Sequence, residues 1–114
     1  MTDREATPLK PVEVHVLLVL AEGERHGYGI VKEIEHRSEG SIRLEPGNLY
    51  RHVRRLVDAG FVAPAERRSV DTAGSAERRR RYYRITADGR RALAEEAARM
   101  RRLADAVEAG LRGA

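Results

Sequence analysis

Residues 45–62 read EPGNLYRHVRRLVDAGFV and concentrate groups that bind anions. Arg51, Arg54 and Arg55 stand within five positions, with His52 among them and Asn48 just upstream. A guanidinium grips phosphate as a planar fork and matches the major-groove edge of guanine, while an Asn amide matches that of adenine. Pro46 and Gly47 come first, so a helix beginning here also lets backbone N–H groups approach a phosphate. Such residue types at such spacing fit a solvated helix face or a helix laid on a polyanion.

Other chemistry has little support in the sequence. His15, His26, His36 and His52 lack metal-ligand spacing, and His36 with Glu33 is a lone pair of a kind that is normally solvated. No Ser/His/Asp set, phosphate-binding loop or pair of acids stands out, so no catalytic residue, metal or cofactor is expected and the chain does not read as an enzyme. The absence of Cys excludes a disulfide frame, a thiol nucleophile and a thiolate metal site. With 35% charged residues, a net charge of +4 and a pI near 9.9, the chain suits nucleic acid or another anionic surface. Twenty of the 22 basic residues are Arg, but that bias runs the whole length and fits a genome-wide codon preference better than local selection. The first ten residues, MTDREATPLK, contain no apolar stretch, and no apolar run approaches membrane-spanning length. A cytoplasmic location without a membrane partner is therefore expected.

The basic residues need a scaffold, and 114 residues make one domain. PVEVHVLLVLAEG is bracketed by Pro11 and Gly23, with eight apolar residues among the ten at 12–21. β-branched Val would allow a strand, but the length and the brackets favour a helix buried on most sides. HGYGIVKEIEHRSEG predicts a second helix with Tyr28, Ile30, Val31 and Ile34 inward and Gly40 at its end. After the short extended piece SIRLE, Leu49, Val53, Leu56 and Val57 form one stripe of a third helix. Asn48, Arg51, Arg54 and Arg55 point the other way, Tyr50 lies on the border, and Gly60 is placed for a left-handed cap.

FVAP and RRYYRIT predict a hairpin with a long tip near residues 69–77. In its second strand Tyr83 and Ile85 alternate with Tyr82 and Arg84, giving one apolar and one wet face. The four Arg at 78–81 fit a wet strand edge or a wing against a DNA backbone or minor groove. The remainder predicts one long helix, N-capped by Thr86, with Asp88 in its first turn. Leu93, Ala97, Met100, Ala104, Val107 and Leu111 are spaced 4, 3, 4, 3, 4, which is a heptad seam. The seam fits packing onto the chain's own body or pairing with a second copy, and a domain this small cannot cover so long a helix along its whole length. Ala97 and Ala104 permit close approach but make a weaker seam than Leu, so residues 1–20 are expected to add contacts.

The order helix, helix, helix, hairpin, long helix predicts a mainly α fold with a small β-hairpin: a winged helix-turn-helix plus a long C-terminal dimerisation helix. Residues 9–86 would form the DNA-binding part and 87–112 the dimerisation helix, within one compact unit. The expected DNA-binding residues are Gly47, Asn48, Tyr50, Arg51, Arg54, Arg55, Arg79 and Arg80, with the third helix in the major groove of double-stranded DNA. The rival reading is a protein-interaction module of the same fold, its Arg face meeting acidic side chains.

Three motifs in this order resemble the PadR family of bacterial transcriptional regulators: His-Gly-Tyr at 26–28, Pro-Gly-x-Leu-Tyr at 46–50 and Tyr-Tyr-Arg-x-Thr-x-x-Gly at 82–89. With their surroundings they cover roughly residues 12–95, and the single C-terminal helix is similar to the short subfamily. The resemblance implies a homodimeric repressor of a near-palindromic operator, its last helix packed on its partner, with a small apolar or aromatic effector as a further candidate partner. Glu45, Asn48 and Arg51 stand where the family usually has Ser, Thr or Ser, and Pro. Glu is a weaker N-cap than Ser, and Asn48 and Arg51 add groups able to read bases.

Overall fold

The structure, a computed structural model, describes residues 8–65 and 81–113. In chain order the elements are α1 (Pro11–Ala21), β1 (Arg25–His26), α2 (Gly27–Arg37), α3 (Pro46–Asp58), β2 (Val62–Ala65), β3 (Tyr82–Ile85) and α4 (Ala87–Gly113). The three expected helices, the hairpin strands and the long last helix are all present. The hairpin tip lies outside the described residues.

β1 was not expected. It pairs antiparallel with β3, placing Arg25 opposite Tyr83 and His26 opposite Tyr82, so the sheet order is β1-β3-β2. A two-residue strand is too short to show a period in sequence. On the other side of β3, Val62 faces Ile85 and Ala65 faces Tyr82. The alternation along β3 is as expected: Tyr83 and Ile85 are buried, while Arg84 is exposed.

One core joins these elements. Val16, Leu17, Val19 and Leu20 of α1 meet Ile30 and Ile34 of α2, the α3 stripe Leu49, Val53 and Leu56, and Val62, Tyr83 and Ile85 of the sheet. The inward face of α2 needs correction, because Tyr28 is 59% exposed. Ile30, Val31 and Ile34 define a stripe whose preceding turn is completed by Gly27, not by Tyr28. Gly27 is buried, and a Cβ there would come 2.5 Å from Tyr50 Oη. The glycine thus lets the start of α3 lie against the start of α2. His26 caps α2, its Nδ1 accepting the Gly29 N–H at 3.1 Å, and its ring meets the Tyr82 ring edge-on at 5.3 Å. The His-Gly-Tyr motif therefore does three local jobs: strand pairing, helix capping and helix–helix contact.

A second joint ties the end of α3 to the start of α4. Gly60 has φ +87°, and the N–H groups of Gly60 and Phe61 return to the carbonyls of Val57 and Leu56 at 3.0 and 2.9 Å. This is a Schellman closure. The Thr86 hydroxyl donates to the Gly60 carbonyl at 2.6 Å and accepts the Gly89 N–H at 3.0 Å, capping α4. The Thr86 N–H donates to the Phe61 carbonyl at 3.0 Å. A Cβ on Gly89 would stand 2.2 Å from that same oxygen. Threonine and glycine three residues apart thus clamp one loop from two sides.

No helix among the described residues is long and apolar enough to cross a membrane.

Gly89→Ala tests the second joint. In an open helix the change would stabilise by up to about 1 kcal/mol. Here the obstacle is backbone, and urea denaturation is expected to show a loss of about 1–3 kcal/mol or more. A gain in stability would mean that α4 does not pack on the loop this closely.

Candidate nucleic-acid interface

α3 is built as its stripe predicts. Leu49, Val53 and Leu56 are buried and Val57 packs against them, while Gly47, Asn48, Arg51 and Arg54 are exposed. Glu45 is the N-cap residue and makes no side-chain cap bond, as its type predicts. Among the described residues, a Cβ on Gly47 would meet nothing within 4 Å, so no packing against them calls for glycine there. Arg51 donates from Nη2 to Asn48 Oδ1 at 2.9 Å. Tyr50, 47% exposed, flanks this surface with its ring over Gly27. The structure thus brings Gly47, Asn48, Tyr50, Arg51 and Arg54 together around the first turns of one helix.

Arg55 stands apart from that set. Its Nε donates to Glu13 Oε2 at 2.8 Å and its Nη2 to Glu13 Oε1 at 2.9 Å, a bidentate fork across 42 residues of sequence. Nη2 also reaches the Pro8 carbonyl at 3.3 Å. His52 Nδ1 lies 2.9 Å from Glu13 Oε2, and an ionised carboxylate can only accept, so the proton is on that nitrogen. The Lys10 N–H completes the set at 2.9 Å, closing the first turn of α1. The sequence places Arg55 on the solvent face by helical angle. The structure gives its guanidinium an anchoring role, because the Glu13 side chain is wholly buried and needs a counter-charge.

Burial by itself would raise the Glu13 pKa. The hydrogen bonds from Arg55, the Lys10 N–H and His52, together with the Arg55 charge, more than reverse this and hold it at about 2. The same hydrogen bond raises the Arg55 pKa above the ordinary arginine value.

Arg81 and Arg84 are exposed at the base and along the outer face of β3, while Arg79 and Arg80 lie outside the described residues. Behind them, burial and the neighbouring Tyr50 phenol raise the Tyr83 pKa. On the outer side of α2 the Tyr28 ring stacks parallel to His26, with Lys32 Nζ 5.8 Å from the Tyr28 centroid. Among the described residues, no group of three or more His, Cys, Asp or Glu is placed to hold a metal ion.

The seam of α4 divides in two. Leu93 packs on the core and Ala97 is half-buried, whereas Met100, Ala104, Val107 and Leu111 are exposed. Leu103, which the 4, 3 spacing does not include, is 64% exposed and widens the apolar stripe. Every residue from 99 to 113 is exposed.

The chain matches the transcriptional regulator PadR-like family over residues 16–95. It is similar to the transcriptional regulator Rv3488 of Mycobacterium tuberculosis, 36% identical over 99 residues that cover 87% of this chain and 84% of that protein. A PadR family transcriptional regulator from Eggerthella lenta is 32% identical, with a TM-score of 0.62 over 84% of this chain and 80% of that one. Bacillus subtilis PadR, solved in complex with operator DNA, shares the fold with a TM-score of 0.62 at 18% identity, over 77% of this chain and 47% of that one.

Glu13 generates a pH prediction with a definite sign. A carboxyl held at about 2 when folded, against an ordinary 4.5, stabilises the fold fully above pH 4.5 and loses that contribution as pH falls toward 2. The shift corresponds to roughly 3 kcal/mol. Urea denaturation of wild type and Glu13→Gln at pH 7 is expected to differ by that order, and the gap should close near pH 2–3. A gap that is unchanged between pH 7 and 2.5 would mean the carboxylate is not held by Arg55 and His52.

Proposed function

This chain belongs to the PadR-like family of transcriptional regulators and has its DNA-binding winged helix-turn-helix fold, and on that premise we propose that it is a homodimeric repressor that reads a near-palindromic operator with α3. The supporting observation is the exposed start of α3, where Asn48, Arg51 and Arg54 stand beside a glycine that no described residue covers. These groups can meet base edges and phosphates, and Tyr50 borders them. Arg55 holds the helix instead of contacting bases. Arg79 and Arg80, next to exposed Arg81, would add wing contacts to the DNA backbone or minor groove. A repressor acts by occupying its operator, so affinity and site choice are the whole of its chemistry.

Pairing of two copies would follow from α4. Met100, Leu103, Val107 and Leu111 are 47%, 64%, 51% and 74% exposed along one side of the helix, and apolar stripes of this length are uncommon on soluble monomers. A two-fold arrangement buries the same stripe on both chains and sets two α3 helices about one turn of duplex apart. Leu18, at 38% exposed on α1, would extend that contact. A small apolar or aromatic effector would act where the paired helices meet, by changing the separation of the two α3 helices.

Two measurements test this reading. Binding to random duplex DNA should weaken linearly in log salt, with a slope of about −0.9 per phosphate neutralised; a protein-interaction module would show little DNA affinity at any salt. Val107→Glu should sediment as a monomer or aggregate and should lose operator binding. A Val107→Glu dimer with wild-type affinity would remove α4 from the dimer interface.

A further inference from the structure

Asn48 and Arg51 occupy exposed positions three residues apart at the start of α3, joined by the 2.9 Å bond from Arg51 Nη2 to Asn48 Oδ1. Donor and acceptor chemistry fixes what the pair shows to the outside. A guanidinium has no acceptor, so the end of the amide that faces it must be the oxygen, and the Asn48 Nδ2 group points away. Reading adenine takes both ends of an Asn amide, the oxygen accepting from N6 and the nitrogen donating to N7. One of that oxygen's two lone pairs is taken by Arg51, so an adenine N6 would have to share the oxygen with the guanidinium. What the pair presents outward is mainly donors: the Asn48 amide N–H groups and the remaining N–H groups of Arg51.

In the major groove, guanine offers two acceptors side by side, whereas adenine and cytosine each offer a donor. A donor-rich surface matches the two guanine acceptors best, meets only the single O4 acceptor of thymine, and sets donor against donor at adenine N6 and cytosine N4. Arg54, one turn further along, is exposed and donor-only. The open space at Gly47 leaves room for a duplex to come close.

We propose that Asn48 and Arg51 act as one unit that selects guanine in each operator half-site, Arg51 making the contact and Asn48 serving as the positioning residue that holds its fork. The proposal rests on α3 being the DNA-reading helix and names the base it reads.

The test starts with selection of sites from a randomised duplex library by the full-length protein. Affinities are then measured at fixed salt for the best site and for versions with each other base at the guanine position. Wild type should favour guanine by about tenfold or more. Arg51→Lys keeps the charge and loses the fork, so it should bind random duplex within several-fold of wild type yet lose most of that preference. Asn48→Ala should keep guanine as the favoured base with the ratio reduced several-fold. The double variant should show no smaller ratio than Arg51→Lys alone. Thermal melts of each variant establish that the fold is intact.

Three results overturn the proposal while leaving DNA reading by α3 in place: selected sites with no guanine requirement, full guanine preference in Arg51→Lys, or an Asn48→Ala variant that loses an adenine preference and keeps its guanine ratio. Failure of wild type to bind duplex DNA at low salt overturns the functional reading itself.

Discussion

The placement of α3 depends on one buried carboxylate. Glu13 lies inside the protein near the start of α1 and accepts from Lys10, His52 and Arg55. A buried charge is tolerated only with its partners in place. Its two side-chain partners are three residues apart on α3, so they sit one above the other on a single face. Apolar packing of Leu49, Val53 and Leu56 draws α3 to the body, but it is non-directional and would accept a small rotation or slide. The fork between Arg55 and Glu13 would not, because its two hydrogen bonds require one angle and one height. The rotation that brings the half-buried Arg55 to Glu13 is also the one that turns Asn48, Arg51 and Arg54 outward.

The other end of α3 is held differently. Gly60 and Phe61 form the closing loop of the helix, and Thr86 and Gly89 grip that loop from the start of α4. α3 and α4 therefore share one joint, in which Thr86 makes two hydrogen bonds to the loop and Gly89 leaves no room for a methyl group. In a dimer built on α4, a change in the angle between the two copies would be carried to α3 through this joint, since the loop has no slack to absorb it. Such stiffness is what an effector at the helix junction would need in order to alter site spacing.

Local features were legible in the sequence, and long-range ones were not. The α3 stripe, the Gly60 cap, the Thr86 cap and the alternation of Tyr83 with Tyr82 all depend on neighbours within a few residues, and each appears as expected. Arg55 was placed by helical angle among the outward cations, and angle alone cannot reveal an acid 42 residues away in α1. Glu13 was visible as the one acid in an apolar run whose other polar residue is His15. That was the available signal, because an acid on a helix buried from most sides must find a cation. Tyr28 was assigned inward by its apolar ring, whereas the period of Ile30 and Ile34 gives that place to Gly27. Leu103 falls outside the 4, 3 spacing, so the heptad periodicity did not point to it. The three motifs that carried the family resemblance have physical roles at joints: His26 and Gly27 between β1, α2 and α3, Tyr50 over Gly27, and Thr86 with Gly89 on the α3 loop.

Removing Arg55 from the reading surface alters the electrostatics of the proposed complex. On the described part of α3 it leaves Arg51 and Arg54 as exposed arginines, with Arg81 and Arg84 on the strand beside it. Each phosphate neutralised contributes about 0.9 to the salt slope, so one copy with a handful of cations, some of them spent on bases, would hold DNA weakly at moderate salt. Two copies on a two-fold operator double the contacts without a second loss of translational freedom, and their affinities multiply. With so few exposed cations on α3 itself, pairing of two copies would be what makes the proposed complex tight. Among the described residues the outer half of the last helix is exposed throughout. In a dimer built on α4, the anchoring of Arg55 would limit what a single copy can hold, and the bare stripe would supply the means of using two.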